Sequence, residues 1–338
     1  MSALPPPTPL TEVTGPVDDA GFAAIRAAGK PVVLRGQVAD WPAVAAARKG
    51  DEDIVRYLCR EPTPRPVSAI AAAPSVKGRF FYTPDVMRLN FVRGQGRLEN
   101  FLADLLRAAA MPEPPAMAVQ SEEIAPLLPA FARENRLALL PDVIARIWIG
   151  NRIRVGTHYD AKENVACCVA GQRRFTTYPP GQIAGLYPGP FELTPAGVPV
   201  SMVDPTAPDL DKFPLFAEAA RHAETATLEP GDAIYIPYGW WHGVDSLAPV
   251  SILVNYWWNP GQPDGVVSPY EALIHAIAAY RHLPDDQRAV WKHNLDYYAF
   301  GDREGSSAHL PPPARGVLGP PSRSLFAQMK AVIRRALD

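Results

Sequence analysis

The stretch Thr157-His158-Tyr159-Asp160, answered by Trp241-His242 behind the run Asp232-Ala-Ile-Tyr-Ile-Pro237, decides how this chain is read. Side chains of a strand alternate between its faces, so His158 and Asp160 share one face and a distant His242 can complete a three-ligand set. Two imidazoles and one carboxylate suit Fe(II) and leave metal positions open for a co-substrate and O2. His158, Asp160 and His242 are therefore the candidate metal ligands and the candidate catalytic centre.

Around these motifs the pattern is one of many short strands. Apolar and alternating runs predict strands near 31–35, 79–82, 144–149, 152–159, 164–169, 173–178, 226–228, 232–236 and 250–258. Helices are expected near 17–28, 98–110, 122–136 and 213–223. Gly171-Gln172 sits between two apolar strands and reads as a hairpin turn. The 39 prolines mark loops: Pro5 to Pro9, Pro311 to Pro321, and a long connection from Pro188 to Pro214 between the two halves of the proposed metal site. After Pro260 the pattern turns helical. Ser268-Pro269-Tyr270-Glu271 is a capping box with proline at the first helical position, and further helices are expected near 285–297 and 323–337. Short strands with helices before and after them predict a mainly β fold, a double-stranded β-helix of the jelly-roll, cupin-type barrel, flanked by N- and C-terminal helices. The expected division is an oxygenase-like domain over 1–260, with its barrel core about 116–260, and a helical region over 261–338.

Composition narrows the classes. The chain has 338 residues, 47% of them hydrophobic, and a formal charge of -2, so no charge excess favours nucleic acid or an anionic membrane. The start Met1-Ser-Ala-Leu-Pro-Pro-Pro has neither a basic nor an apolar leader segment, and no apolar run approaches a membrane span, so a cytoplasmic protein is expected. Cys59, Cys167 and Cys168 make neither a disulfide framework nor a zinc site, because adjacent Cys167 and Cys168 point to opposite faces of a strand. They read as small buried hydrophobes.

His158-Tyr-Asp160, Asn164, Gly171-Gln-Arg-Arg-Phe175, Tyr178-Pro-Pro180, Gly231-Asp-Ala-Ile-Tyr-Ile-Pro237, Trp240-Trp-His242 and Val254-Asn-Tyr-Trp257 occur in this order. Together they resemble the JmjC or cupin-like Fe(II)- and 2-oxoglutarate-dependent oxygenases, in the branch containing the asparaginyl hydroxylase that inhibits hypoxia-inducible factor. The likeness is dense from about 143 to 260 and weaker at Pro31-Val-Val-Leu-Arg35 and Asp40-Trp-Pro42. It implies Fe(II) held by His158, Asp160 and His242, with 2-oxoglutarate and O2 as co-substrates and release of succinate and CO2 during hydroxylation. The cofactor would carry the chemistry while the protein orients it.

Where the family usually places a lysine for the distal carboxylate of 2-oxoglutarate, this chain has Arg173, followed by Arg174. Alternation lets only one of them face inward, and a guanidinium suits a carboxylate through its bidentate fork. The chain departs from the related hydroxylase at Val155 and Ala118, where a threonine and a tyrosine are expected. Asn164, Asn255 and Thr157 are the further candidates for co-substrate contact, with Thr177 and Tyr178 available beside them. Trp240, Trp241, Trp257 and Trp258 read as core and rim packing, and His222, His275, His282, His293 and His309 as solvated or locally bonded.

The resemblance favours a protein or peptide side chain as substrate, with a small molecule or modified nucleotide open. It also suggests a homodimer through the C-terminal helices, whose last member carries the stripe Leu325, Met329, Val332 and Ile333. Two other classes fit the motifs: a cupin metalloenzyme that does not use 2-oxoglutarate, and a catalytically silent cupin serving as a binding module.

Overall fold

A computed structural model describes residues 4–61, 63–262, 265–302 and 304–337. The chain divides into two compact units, Met1–Trp258 and Asn259–Asp338.

Eight strands organise the first unit: β1 (Ala145–Gly150), β2 (Arg154–Tyr159), β3 (Glu163–Ala170), β4 (Arg173–Tyr178), β5 (Glu224–Leu228), β6 (Ala233–Ile236), β7 (Trp241–Ser246) and β8 (Ser251–Trp258). One sheet runs β6-β3-β8-β1 and the other β5-β4-β7-β2, every neighbour antiparallel. Successive strands exchange sheets except between β4 and β5, which is jelly-roll connectivity. The expected fold, mainly β with helical additions, is the observed one.

Extra strands widen both sheets. Val32–Arg35 and Thr11–Thr14 continue the first sheet past β6, while Ala116–Glu123, Pro66–Ala72 and Val92–Arg97 continue it past β1, giving nine strands. Thr8–Pro9 and Arg79–Phe80 bring the second sheet to six.

Strand β3 shows how the layers are built. It is buried on both faces, as a central strand between two layers must be. Val165, Cys167 and Val169 pack towards the helices of the N-terminal part, with Phe22, Val44, Leu102, Leu105 and Phe131 in the same core. Ala166 and Cys168 point the other way, between the sheets, with Phe175, Leu228, Val244 and Leu253. Full burial of each Leu, Val or Phe here is worth roughly 1.5–3 kcal/mol. The two cysteines thus lie on opposite faces as free, buried thiols, and burial pushes Cys168 up to about 12.

Two motif residues prove structural. Asp232 accepts from Arg35 Nη1 at 2.6 Å and from the backbone N–H groups of Gly36 and Glu229, so it ties the Val32–Arg35 strand to the start of β6. Gly171, at φ 70, makes the β3–β4 turn; a Cβ there would stand 2.6 Å from the Val250 carbonyl oxygen.

The helix expected over 122–136 is not continuous. Ala116–Glu123 is a strand, followed by two short helices, Ile124–Leu127 and Pro129–Glu134. Leu128 breaks them with φ -133 and ψ 71, because the residue before a proline is driven out of the helical region.

The second unit holds helices Pro269–Tyr280, Asp285–Tyr298 and Arg323–Leu337. Ser268 caps the first by accepting from the Tyr270 N–H at 3.3 Å. None of the three has a buried residue, and Leu273, Trp291 and Val332 are exposed apolar side chains. Among the described residues no helix is long and apolar enough to cross a membrane.

Candidate metal centre

His158 is the penultimate residue of β2, Tyr159 ends the strand opposite Trp241, Asp160 follows it, and His242 lies in β7 directly opposite His158. The two imidazole centroids are 4.5 Å apart, His242 Nε2 is 3.7 Å from Asp160 Oδ2, and one ligand atom from each of the three residues lies within 4.8 Å of the others. Strict alternation would send Val155 and His158 to opposite faces. Between the pairs His158–His242 and Val155–Val244, however, β2 holds one residue more than β7. This bulge lets Val155 and His158 both line the space between the sheets.

Each imidazole is aimed by the carbonyl two residues before it. His158 Nδ1–H donates to the Gly156 carbonyl at 2.9 Å, and His242 Nδ1–H donates to the Trp240 carbonyl at 3.0 Å. A carbonyl only accepts, so each ring carries a proton on Nδ1, and it is Nε2 that offers a lone pair to a metal when the ring holds a single proton. Burial, reinforced by the adjacent His158 and partly opposed by Asp160, pushes His242 down to about 4, so it is neutral at neutral pH. Asn164 Nδ2–H donates to Asp160 Oδ2 at 3.4 Å, and Asn255 Nδ2–H donates to Asn164 Oδ1 at 2.9 Å. This amide chain orients the carboxylate.

The cluster opens into a cavity of about 340 Å³ whose lining includes Trp148, Arg173, Phe175, Leu253, Asn255 and Trp257. Arg173 is 3% exposed and Arg174 is exposed beside Asp245, so alternation turns the first inward and the second to solvent. The Arg173 guanidinium donates to Ser251 Oγ at 2.9 Å, and among the described residues no carboxylate pairs with it. Burial lowers it to about 10, which leaves it charged at neutral pH. A buried cation without a counter-ion is costly and favours a bound anion. Three further buried polar atoms of the lining lack a partner among the described residues: Asn255 Oδ1 and the indole nitrogens of Trp148 and Trp257. The two indoles meet edge to face at 5.9 Å.

Two oriented imidazoles and one carboxylate fit a divalent metal ion. The unpaired guanidinium and the orphaned polar atoms fit an anionic, hydrogen-bonding ligand beside it.

A cupin-like domain model matches residues 19–263. The chain belongs to the cupin-like family. Among relatives of this cupin-like chain, lysine-specific demethylase JMJ31 of Arabidopsis thaliana is 35% identical over 106 residues, which is 31% of this chain and 19% of that protein. Human HSPB1-associated protein 1 is 36% identical over 115 residues, 33% of this chain and 22% of that protein. The human bifunctional peptidase and (3S)-lysyl hydroxylase JMJD7 is 26% identical over 266 residues, 68% of this chain and 77% of its own length. The cupin-like chain thus spans about a fifth of the first two relatives.

Of the residues nominated from sequence, His158, Asp160, His242, Asn164, Arg173 and Asn255 line one cavity. Thr157 does not: it is buried on the other face of β2, where its carbonyl accepts from the Ser201 N–H at 2.7 Å and fixes the Pro188–Pro214 connection. Tyr178 also faces away, in a cluster with Phe216 and Trp241, and the Thr177 hydroxyl is directed to the Glu224 carbonyl at 3.5 Å. Ala118 lies in another apolar cluster.

Sequence reasoning missed Trp148, Gln120, Ser121 and Arg93, and took Trp257 for packing alone. Alternation along β1 could have found Trp148. Ser121 has φ 55 at a register shift between Val119 and Glu122, an irregularity with no sequence signal.

Proposed function

We propose that this chain is an Fe(II)- and 2-oxoglutarate-dependent oxygenase that hydroxylates a side chain of a protein or peptide. The observation that carries the reading is Arg173, a buried, charged guanidinium without an acidic partner among the described residues, lining the same cavity as His158, Asp160 and His242. In this reading Arg173 and Ser251 bind the distal carboxylate of 2-oxoglutarate, and His158, Asp160 and His242 hold Fe(II). A metal held by these three residues would supply Lewis-acid and redox chemistry for oxidative decarboxylation of the 2-oxo acid.

The residues themselves position and exclude. The Gly156 and Trp240 carbonyls lock the imidazoles, the Asn255–Asn164 amide chain steers Asp160, and Asn255 Oδ1 and the two indole N–H groups offer hydrogen bonds to bound ligands. Phe175, Val244 and Leu253 provide apolar walls that keep water from the reacting atoms. A protein substrate is supported by the relatives named for lysyl hydroxylation and lysine demethylation. The free thiols Cys59, Cys167 and Cys168 suit a reducing, cytoplasmic setting. The exposed apolar side chains of the Asn259–Asp338 helices support a homodimer formed through them.

The test is succinate formation from 2-oxoglutarate by anaerobically prepared, Fe(II)-loaded protein on admission of O2, with Asp160→Ala as control. Succinate that depends on Asp160 upholds the reading. Failure of the iron-loaded protein to bind 2-oxoglutarate overturns it in favour of another cupin chemistry.

A further inference from the structure

The strand Val92–Arg97 closes the nine-stranded sheet at one end. It pairs along one edge with Pro66–Ala72, Arg93 standing opposite Ile70, and all six of its residues are exposed. Among the described residues no strand pairs with its outer edge. A bare edge is a template for another extended chain. Gly94 and Gly96 have open space where a Cβ would be, so a second backbone can approach closely.

Arg93 joins this edge to the metal centre. It lines the cavity that holds His158, Asp160 and His242, and it also lines a groove of about 310 Å³ along Gly94, Gln95, Gly96 and Arg97. Acidic neighbours are engaged elsewhere: Glu99 with Arg97 at 2.7 Å, Glu123 with Arg146 at 2.8 Å, and Asp104 with Arg107. The charges of the cavity follow from the oxygenase reading, on which this step rests. A divalent ion and a dicarboxylate cancel, as do Asp160 and Arg173, which leaves the Arg93 charge unopposed. A lysine side chain would meet that cation and no free carboxylate in the lining.

We infer that the partner of this edge is an extended, acidic polypeptide segment, which adds to Val92–Arg97 as a further strand with a carboxylate side chain on Arg93. Strand pairing supplies affinity through the backbone and Arg93 supplies selection by charge. Residues next to the paired carboxylate then stand at the mouth of the cavity.

Short fluorescent peptides alternating Thr with Glu, Thr with Gln or Thr with Lys, titrated by anisotropy onto the full chain loaded with Zn(II) in the presence of excess 2-oxoglutarate, test this. The Thr-Glu peptide should bind tightest, about tenfold above Thr-Lys, and Arg93→Glu should reverse that order. Methylating alternate amides of the Thr-Glu peptide should weaken binding about tenfold for one of the two alternate sets, since only every second N–H faces a neighbouring strand. Arg93→Gln, at an exposed position, should unfold at the unchanged temperature and lose the charge preference without reversing it. Equal affinity for the three peptides, an order that survives Arg93→Glu, indifference to both methylation patterns, or no binding at all would each overturn the inference. Calorimetric titration of 2-oxoglutarate into the Zn(II)-loaded full chain alone separates the two readings. Binding of 2-oxoglutarate without peptide selectivity overturns the docking edge alone, and the converse overturns the oxygenase reading alone.

Discussion

His158 and His242 face each other across the pairing of β2 with β7, although four strands lie between them in the chain. Their rings stand 4.5 Å apart, each pinned through Nδ1 to the carbonyl two residues earlier in the chain, with the Asp160 carboxylate beside them. Such a set binds metal only as a unit. Asp160→Ala should lower Fe(II) or Zn(II) affinity by more than the roughly 10–100-fold that loss of an outer hydrogen-bonding partner costs. Metal content after dialysis checks this, and a variant that retains a full equivalent would remove Asp160 from the ligand set.

Arg173→Met should abolish measurable 2-oxoglutarate binding while metal content stays unchanged, because the guanidinium lines the cavity without contacting the ligand cluster. Without ligand, the same variant should be as stable as the parent protein or more so, since it removes a buried, unpaired charge. Calorimetry and thermal unfolding read the two effects, and undiminished 2-oxoglutarate affinity would transfer the carboxylate to another group.

Asn164 joins Asp160 to Asn255 through two amide hydrogen bonds. Asn164→Ala should weaken metal binding about 10–100-fold by freeing the carboxylate, whereas Asn255→Ala should have a smaller effect because it acts one bond further away. Competition with a metallochromic chelator ranks the variants, and equal effects would mean that the two amides do not act in series.

The metal-free protein should lose stability as pH falls from about 6.5 towards 4. Burial keeps His242 neutral down to about 4 in the fold, against 6.5 for an ordinary imidazole. In that window the unfolded chain takes up a proton that the fold refuses, so the contribution is fully present above 6.5 and lost on acidification. Urea midpoints of the parent protein and His242→Gln, followed against pH, should converge as pH drops; parallel curves would contradict the assignment.

Gly171→Ala should destabilise the first unit by about 1–3 kcal/mol, because it combines a left-handed backbone with a clash against Val250. A lowered thermal midpoint checks it.

Most of the eight-strand core was legible because its strands carry dense apolar runs bounded by Gly and Pro, and the metal cluster because His-x-Asp has the period of a strand. What escaped reading lacked those signals. Val92–Arg97 has two glycines, two arginines and a single β-branched residue, all exposed, so no alternation marks it as a strand. Pro66–Ala72 is alanine-rich and reads weakly for the same reason. Thr157 was misjudged because a residue next to a ligand on a strand faces the other way, and the β2 bulge that realigns Val155 with His158 leaves no trace in residue types. Pro195, Ala196 and Gly197 line the cavity from a loop whose course is set by contacts such as Tyr82 Oη donating to the Leu193 carbonyl at 2.9 Å. No local pattern encodes that path.

In the oxygenase reading, the buried charge of Arg173, which has no acidic partner among the described residues, would tie the protein's persistence to metabolism. A buried guanidinium that gained a directly contacting counter-ion only on binding a dicarboxylate would leave the fold more prone to open when that metabolite is scarce, and transient opening is what degradation machinery acts on. Supply of the metabolite would then govern how much of this protein a cell retains, as well as how fast each copy works.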